Sequence, residues 1–279
     1  MANPAASTRS AHGAEIPVIG FGTSGLGART AEAVATALAA GYRHVDTARK
    51  YGTEEGVGEG IRASGIARSD IFLTTKVSHE HLRPADFARS AEESLKALGV
   101  DHVDLLLVHW PNPAIPLGDT MGAAARLKRE GLTRHIGVAN FPSALLEEAI
   151  RLCPEPLVTD QVEYHPYLRQ STLLAACRRH GLILTAHCPL ARGRLIDDPV
   201  LAEIARRHGR TVAQVALRWL IQQPNVAAIP RSSNPGRIAA NLDVFGFSLA
   251  DNEVLRIDHL ARPDGRIADP VGRAPAWDA

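Results

Sequence analysis

The chain has 279 residues, 45% of them hydrophobic, and its 31 basic and 30 acidic side chains give a formal net charge of +1. That length and apolar content suffice to bury one full core, and single α/β barrels commonly run to about 250 residues. The balanced charge excludes an overall field that would drive binding to nucleic acid or to an anionic membrane, so we predict neither partner.

The cysteines and the apolar stretches narrow the class of protein further. Cys153, Cys177 and Cys188 are odd in number and lack metal-ligand spacing, and the sequence shows no N-terminal signal segment. We therefore predict a reducing, cytoplasmic environment and no bound metal. The longest apolar stretches fall well short of the about 20 residues needed to cross a bilayer. We expect a soluble monomer with no obligatory protein partner.

The predicted elements begin with a small hairpin and continue as strands alternating with helices. Residues 1–10 are expected to be flexible, and AHGAEIPVI follows, with His12 and Gly13 as a turn between two short extended pieces. Strand-like runs lie near Ile19 and at 43–46, 71–76, 103–109, 135–139, 158–163, 182–187 and 226–230. Helical periodicity fills the intervals, as in Ala31, Val34, Ala35 and Leu38.

Eight consecutive strand and helix pairs, without a composition break, indicate one domain over residues 1–279. They favour an α/β fold of the (βα)8 TIM barrel type over an open sheet. Two helices beyond that count are predicted near 200–208 and 249–261. The pairs Thr211 with Gln214 and Ser248 with Asp251 have the spacing of capping boxes ahead of helices. In such a barrel the active site lies at the carboxyl ends of the strands.

A glycine pattern after the first predicted strand suggests a different fold. Gly20, Gly22 and Gly25 spell the dinucleotide-binding signature, and Asp46 lies 21 residues beyond the last of them, where a Rossmann fold places its ribose-binding acid. The third glycine should open a helix at once, yet residues 26–29 precede the helical periodicity. The eight units also exceed the six strands of a Rossmann fold. We interpret the glycines instead as a flexible loop that lets the backbone approach a ligand.

Three successive strand-like runs each end in an ionisable side chain, namely Asp46, Lys76 and His109, and Tyr51 follows the first. A charge at the end of a buried strand is costly unless it is paired or lines a cleft, so we expect these residues to meet in one. A phenol, with an ordinary pKa of about 10, is an effective acid at neutral pH only beside a cation. Lys76 would be that cation, Asp46 would keep it protonated, and His109 would orient a substrate carbonyl. Each residue has a structural alternative as cap, packing or surface residue, but their coincidence favours a site.

Segments spread over nearly the whole chain resemble the aldo-keto reductase family, in order and with family-like spacing. They are GYRHVDTARKYGTEEGVGEGI, LTTKV, LLLVHWP, GLTRHIGVANF, TDQVEYHP, CPLARG and IPRSSNPGRIAAN. The similarity is greatest to a bacterial branch that includes diketogluconate reductases. The resemblance implies a TIM barrel, a nicotinamide cofactor extended across the barrel mouth, and the Asp46, Tyr51, Lys76 and His109 tetrad in the roles given above.

A candidate anion site follows the last predicted strand, where cations, hydroxyls and backbone amides converge at a helix N-terminus. The segment contains Arg231, Ser232, Ser233, Asn234 and Arg237. Taken alone, it also fits an ordinary capped surface helix with solvated arginines. The resemblance implies that it holds the 2′-phosphate of NADP and that Asn241 contacts adenine. We therefore predict NADPH/NADP+ as the cofactor in preference to NADH.

The resemblance also assigns residues around the nicotinamide ring. Asn140 and Gln161 match residues that hold its carboxamide, and His187 stands where relatives stack a tyrosine on the ring; each has a capping, turn or structural alternative. Ala139 replaces a serine of many relatives, which removes one hydrogen bond. The remaining cofactor residues are Gly22, Thr23, Asp46, Leu190, Arg192 and Gly193. The last three lie in the stretch that covers the pyrophosphate.

Candidates for the substrate pocket are Ser24, Arg49, Trp110 and Trp277. Ser24 stands where relatives often carry a bulky aromatic residue, and Trp110 directly follows His109. The C-terminal segment 262–279 has too little apolar periodicity to form a helix, and the resemblance implies that it folds over the substrate. Arginines near the mouth could attract a carboxylate or sugar acid, although such arginines are more often simply solvated; they are Arg49, Arg266 and Arg273.

These features predict an NADPH-dependent reductase of small aldehydes, ketones or keto sugar acids, with Tyr51 as the general acid. Two other classes of function stay open. One is an NADPH-binding regulatory or redox-sensing barrel with little turnover, which the departures at Ala139 and His187 allow. The other is a Schiff-base lyase built on Lys76, because buried lysines can attack carbonyls.

Overall fold

The computed structural model describes residues 7–278, and it begins with the predicted hairpin. Strands β1 (Thr8–Ala11) and β2 (Ala14–Pro17) pair antiparallel around a turn with positive φ at His12 and Gly13. Apolar side chains of the hairpin pack into a buried cluster with barrel residues such as Leu105 and Ile183. Residues 8–10, which belong to the segment expected to be flexible, pair with residues 15–17 in this hairpin. Residues 1–6 lie outside the described part.

The central sheet has eight parallel strands in consecutive order, as predicted. They are β3 (Phe21–Gly22), β4 (His44–Asp46), β5 (Phe72–Val77), β6 (Val103–Val108), β7 (Thr133–Ala139), β8 (Leu157–Glu163), β9 (Ile183–His187) and β10 (Val226–Ala228). The sheet closes because Ile19, just before β3, forms a parallel bridge with Ala228 of β10. The Gly22 N–H also donates to the carbonyl of Pro230 at 3.0 Å. The (βα)8 barrel is therefore confirmed and a Rossmann sheet excluded.

Ten α-helices lie in the described part of the chain. They are α1 (Thr30–Ala39), α2 (Glu54–Ser64), α3 (Pro84–Leu98), α4 (Leu117–Arg129), α5 (Ser143–Leu152), α6 (Ser171–Arg179), α7 (Pro199–His208), α8 (Val212–Gln222), α9 (Pro235–Leu242) and α10 (Asp251–Asp258). The main core lies between the strands and these helices. Helices α7 and α10 are the two predicted beyond the eightfold count. After α10, the described residues up to 278 form no helix or strand, as expected for the tail.

The two predicted capping boxes have different outcomes. Thr211 caps α8, since its hydroxyl accepts the Gln214 N–H at 3.2 Å while Gln214 Oε1 accepts the Thr211 N–H at 3.0 Å. The prediction for Ser248 is wrong. Helix α10 begins at Asp251, two residues later than the predicted start at residue 249. The carboxylate of Glu253 accepts the N–H of the N-cap residue Ala250 at 3.0 Å. The longer side chain of Glu253 reaches back over the first turn and makes a serine cap unnecessary.

The first two glycines of the false dinucleotide signature serve barrel closure. A Cβ on Gly20 would lie 2.5 Å from Nδ1 of His44, and one on Gly22 would lie 2.9 Å from the carbonyl oxygen of Ile229. Gly20 and Gly22 are therefore fixed by protein neighbours rather than flexible, while the approach of the Gly22 backbone to a ligand stays a prediction. Gly25, with a φ of 70°, is the position where only a glycine adopts the turn easily.

Candidate active site

The four tetrad residues come together at the carboxyl end of the barrel. Asp46 ends β4, Lys76 is the last but one residue of β5, and His109 directly follows β6. Tyr51 ends a short 3-10 helix, Arg49–Tyr51, in the loop after β4. Asp46, Lys76 and His109 are buried and Tyr51 is partly exposed. Three parallel strands and the loop after β4 thus deliver the four side chains to one cleft.

Lys76 forms the centre of this cluster. Its Nζ atom lies 2.5 Å from Oδ1 of Asp46 and donates to the carbonyl oxygen of Thr47 at 2.8 Å. The same ammonium lies 5.4 Å from the centroid of the Tyr51 ring. The rings of Tyr51 and His109 meet edge to face, with centroids 5.7 Å apart. The ammonium is therefore flanked by a carboxylate and a phenol, and the phenol by an imidazole.

Burial and neighbouring charges determine the protonation states of Lys76, which is paired with Asp46, and of the Tyr51 phenol. Burial alone would lower the pKa of Lys76, but Asp46 and Tyr51 together outweigh it and raise that pKa. Burial raises the pKa of Tyr51, and the charge of Lys76 opposes that rise. At neutral pH the lysine is thus charged and the tyrosine protonated. The phenol holds a transferable proton beside the cation that stabilises its phenolate.

His109 is held neutral. Burial, followed by the charge of Lys76, keeps the pKa of His109 well below its usual value. Its Nδ1 atom is buried and has no hydrogen-bond partner among the described residues. A neutral imidazole carries one N–H, so the ring can donate one hydrogen bond to an oxygen placed in the cleft.

Asn140, Gln161 and His187 form a second layer of hydrogen bonds around the tetrad. Asn140 has a φ of 63°, and its Nδ2 donates to the carbonyl oxygen of His109 at 2.9 Å. Its Oδ1 lies 2.9 Å from Nε2 of His187, so that nitrogen must carry the proton. Burial lowers the pKa of His187 to about 4, and the ring is neutral. Gln161 donates to Oδ2 of Asp46 at 2.6 Å, which gives each Asp46 oxygen a partner.

The stretch after β9 has an unusual backbone. Cys188, Ala191 and Arg192 all have positive φ values, of 50°, 46° and 53°, although none is glycine. Leu190 is half-buried and Gly193 has a φ of 90°. Such conformations are costly for residues with a Cβ and collect at functional sites. The Arg192 side chain in this stretch is exposed.

The predicted anion site has the expected architecture at the start of α9. Asn234 caps the helix, because its Oδ1 accepts the Arg237 N–H at 3.0 Å. Ser232 is buried and its hydroxyl accepts the Asn234 N–H at 3.1 Å, while Ser233 is half-buried. Arg231 and Arg237 are exposed and Asn241 is buried in the helix. Two cations and a helix N-terminus are thus presented together.

The remaining residues that were predicted to bind cofactor or substrate differ in burial and in their contacts. Thr23 is fully buried, and both its N–H and its hydroxyl donate to the Asp46 carbonyl oxygen at 3.0 Å. Ser24 is exposed in the next loop position. Trp110 is buried with its ring 6.0 Å from that of Trp277. Arg49 is half-exposed, and its guanidinium pairs with Glu54 at 3.6 Å and with Glu93 at 2.8 Å, so its role toward a substrate stays a prediction.

One buried residue at this end escaped the sequence argument. Glu163 is the last residue of β8, two positions after Gln161, and is fully buried. It carries the same signal that identified Asp46, Lys76 and His109, an ionisable side chain closing a strand. Its partners lie in the C-terminal tail, where Ile267 and Ala268 donate their N–H groups to its carboxylate.

This barrel, with its buried ion pair, phenol and neutral imidazole at the carboxyl end, defines a class of oxidoreductase. A model of the aldo/keto reductase family matches residues 18–262. The chain therefore belongs to the aldo/keto reductase family, whose members reduce carbonyl compounds and generally use NADH or NADPH.

Individual relatives cover nearly all of the chain. Morphine 6-dehydrogenase from Pseudomonas putida is 41% identical over 267 residues, 89% of this chain and 89% of that protein. Glyoxal reductase from Bacillus subtilis is 40% identical over 255 residues, 91% of this chain and 92% of that protein. The crystal structure of a 2,5-diketo-D-gluconic acid reductase B-like protein has a TM-score of 0.95 at 47% identity, covering 98% of this chain and 97% of that one. A Bombyx mori aldo-keto reductase in complex with NADP has a TM-score of 0.87 at 31% identity, covering 95% and 96%.

Two further properties concern the described residues alone. Between residues 7 and 278, none of the helices has the length and apolar composition that a membrane span requires. Over the same residues, His, Cys, Asp and Glu side chains do not gather into a group of three or more that would hold a metal ion.

Proposed function

We propose that this protein reduces small aldehydes, ketones or keto sugar acids to alcohols, with NADPH as the hydride donor and Tyr51 as the general acid. The observation that carries the proposal is the buried Lys76 ammonium, fixed 2.5 Å from Asp46 and facing the Tyr51 ring. This arrangement stabilises negative charge on the phenolic oxygen at the moment when the proton leaves it.

The residues act on a carbonyl oxygen placed between the phenol and the imidazole. Tyr51 donates its proton to that oxygen, and Lys76 stabilises the phenolate that remains. Asp46 keeps Lys76 charged and in place, and Gln161 in turn orients Asp46. Neutral His109 donates a hydrogen bond that holds the oxygen in reach of Tyr51 and polarises the carbonyl.

The donor groups at the cleft fit a dinucleotide. Arg231, Arg237 and the N-terminus of α9 suit a phosphate, which favours NADPH over NADH. The Asn140 amide has one N–H committed to His109, so its second N–H is available for a carboxamide oxygen. His187 presents a neutral ring for stacking. When bound, NADPH supplies the hydride to the carbonyl carbon.

The other assigned residues complete this cofactor site in the proposal. Contacts to the cofactor would come from Gly22, Thr23, Leu190, Arg192, Gly193, Ser232, Ser233, Asn234 and Asn241. Ser24, Trp110 and Trp277 would line the substrate side. The single domain and the cytoplasmic location stay predictions from the sequence.

The state of Lys76 argues against the Schiff-base lyase. Attack on a carbonyl requires a neutral amine, whereas Asp46 and Tyr51 raise the pKa of Lys76. The ammonium also donates to Asp46 and to the Thr47 carbonyl, so nucleophilic attack would break two buried hydrogen bonds.

The relatives support carbonyl reduction through their own printed names. A glyoxal reductase and a diketogluconate reductase-like protein both act on small carbonyl compounds by those names. The second name is the reason to include keto sugar acids in the proposed substrate class.

Tyr51→Phe tests the proposal. We expect NADPH oxidation with an aldehyde to fall by about 10²- to 10⁴-fold, the range for loss of a general acid. NADPH binding, followed by fluorescence, should persist. The matched control is Tyr164→Phe, which removes another hydroxyl, bonded to Gln223 at 2.9 Å, and should retain turnover. Full turnover by Tyr51→Phe would remove Tyr51 from this role, and NADPH binding without multiple turnover by the unaltered protein would favour the regulatory alternative.

A further inference from the structure

Asn140 connects the carboxyl ends of several strands. The residue directly follows β7, and its N–H donates to the carbonyl oxygen of Gln161 on β8 at 3.0 Å. Its side-chain Nδ2 donates to the carbonyl oxygen of His109, just after β6, at 2.9 Å. Its Oδ1 lies 2.9 Å from Nε2 of His187, the last residue of β9. Both ends of the amide thus have a partner, and His187 reaches it from two strands away.

These two side-chain contacts fix the direction in which the Asn140 amide faces. Only Nδ2 can donate to the His109 carbonyl oxygen, because turning the amide over would set one acceptor, Oδ1, against another. Oδ1 is then left facing Nε2 of His187 and needs a donor there. Burial lowers the pKa of His187 to about 4, so the ring is neutral and its single N–H lies at Nε2.

The Asn140 amide oxygen depends on His187 for its hydrogen bond. Asn140 is buried, and within residues 7–278 no other group donates to its Oδ1. The preceding residue, Ala139, has a methyl side chain that cannot take over this task. A buried acceptor that loses its donor is costly, so loss of the His187 N–H would free the amide to turn.

Holding the amide also directs the N–H that remains on it. An amide is planar, so once one N–H of Nδ2 is bound to His109, the direction of the second is fixed as well. The imidazole N–H lies in the plane of its ring, and its hydrogen bond to Asn140 therefore occupies neither face of His187. Donating to Asn140 and stacking on a cofactor are compatible, but each gives a different result when the ring is replaced.

We propose that His187 is a positioning residue whose Nε2–H holds the Asn140 amide, so that the second Nδ2–H is presented to the carboxamide of the nicotinamide ring. The cofactor part of this inference rests on the proposed function, since it takes a nicotinamide to lie at the tetrad. The other part, the held amide and the protonated Nε2, concerns the protein before NADPH is added and is independent of it.

Nitrogen NMR of the labelled full-length protein tests the held amide before NADPH is added. At neutral pH the ring nitrogens of His187 should be protonated at Nε2 and not at Nδ1. In His187→Phe, which keeps a flat ring without a donor, the Nδ2 protons of Asn140 should exchange with water about tenfold faster, the equivalent of about one hydrogen bond. Protonation of His187 at Nδ1 alone, or unchanged exchange in His187→Phe, overturns the proposal.

Two replacements of opposite chemistry test the cofactor part. His187→Phe keeps an aromatic face and loses the donor, whereas His187→Gln loses the face and keeps an N–H at about the same reach. We expect the NADPH dissociation constant, measured by fluorescence, to rise about tenfold in His187→Phe and about threefold or less in His187→Gln. The reverse order, or equal weakening in both variants, would show that stacking matters at least as much and would overturn the proposal.

Two controls separate positioning from general damage. The fragment 2′-phospho-ADP-ribose has no nicotinamide, so it should bind both His187 variants as tightly as the unaltered protein. His208→Phe removes another Nε2 contact, 2.9 Å from Glu253, where the end of α7 meets α10, and should leave the NADPH dissociation constant unchanged. Weaker binding of the fragment to His187→Phe, or equal weakening of NADPH by His208→Phe, would make His187 merely structural and contradict the proposal.

The two parts fail separately. NADPH binding without carbonyl turnover in the unaltered protein contradicts the proposed function, while the two His187 variants still rank the donor against the ring face. If the protein binds no NADPH, the cofactor part is wrong and the tautomer of His187 still decides whether the amide is held. If His187→Phe does not fold, His187→Gln and that tautomer decide: a more than tenfold rise in the dissociation constant of His187→Gln, or a proton at Nδ1 alone, overturns the proposal.

Discussion

The two ends of the barrel bury charge in different ways. At the amino end, both carboxylate oxygens of Asp104, on β6, are occupied: Arg68 lies at 2.8 Å, Arg134 at 3.2 Å, and the Leu73 N–H donates at 2.9 Å. At the carboxyl end, Lys76 and Asp46 are paired, but the neighbouring His109 has a buried Nδ1 without a partner among the described residues. The Asp104 carboxylate is thus fully paired, whereas the His109 imidazole is not.

The backbone shows the same contrast. Six non-glycine residues between 7 and 278 have positive φ, and four of them lie directly after strands at the carboxyl end, namely Asn140, Cys188, Ala191 and Arg192. Unpartnered polar atoms and left-handed residues each destabilise a fold, so they persist where a ligand gives them a use. The left-handed residues therefore concentrate at the carboxyl end, where the tetrad lies.

Lys76→Met tests the buried ion pair at the carboxyl end, and we expect it to have the largest effect of these variants. The change leaves Asp46 buried without its cation, and breaking a buried pair costs about 3–5 kcal/mol of unfolding free energy. We expect that loss in denaturant unfolding, together with loss of carbonyl reduction. The double variant Asp46→Asn/Lys76→Met should recover much of the stability but no turnover. A stable single variant, or an active double variant, would contradict the assignment.

Asp104→Asn tests the fully paired carboxylate at the amino end of the barrel. Arg68 and Arg134 have side chains 24% and 53% exposed, so solvent screens the loss and we expect only about 1–3 kcal/mol lower stability. The value of kcat/KM should not change, because nothing at this end touches the cleft. A fall in kcat/KM at temperatures where the variant is folded would break the distinction between the two ends.

Asp160→Asn addresses a third buried carboxyl group, on β8. Both its oxygens lack partners among the described residues, and burial raises its pKa well above the usual value. The unfolded chain loses this proton at the ordinary pKa while the folded chain keeps it, so stability falls as pH rises above about 4. The variant should be about 1 kcal/mol more stable at pH 8, with the gain shrinking towards pH 4. Equal or lower stability at pH 8 would be the opposite result.

The pH dependence of kcat/KM tests whether His109 is neutral, and here we expect the smallest effect. Since burial and then Lys76 keep its pKa well below 6.5, the imidazole stays neutral between about pH 6 and 8. We expect no inflection near pH 6.5. An inflection there that disappears in His109→Gln would show that the imidazole titrates at its ordinary value.

The sequence predicted the barrel and the tetrad because both depend on local patterns. Apolar runs mark β5 and β6, and Lys76 and His109 stand out at their ends. The pairing of Arg49 with Glu54 and Glu93 was not predicted, because those partners sit on helices whose packing no local pattern shows. The cap at Ser248 was wrong because Glu253, inside the helix, binds the N–H of Ala250 and the helix begins only at Asp251.

The contacts of the C-terminal tail, residues 262–278, lie beyond local patterns altogether. Glu163 and Ile267 are 104 positions apart, and Ser143 and Asp278 are 135 apart. The tail has no periodicity from which a partner follows, since backbone N–H groups of Ile267 and Ala268 make the contact with Glu163. Such contacts depend on where the folded barrel leaves its strand ends, and only the assembled fold shows them.

Transfer of deuterium from NADPH labelled at C4 of its ring tests the central claim most directly. With an aldehyde as substrate, mass spectrometry of the alcohol should find one deuterium on the former carbonyl carbon when one face of the ring is labelled and none when the other is. Tyr51→Phe should abolish this transfer without abolishing NADPH binding. Alcohol formed without deuterium from either labelled cofactor would contradict hydride transfer at the tetrad.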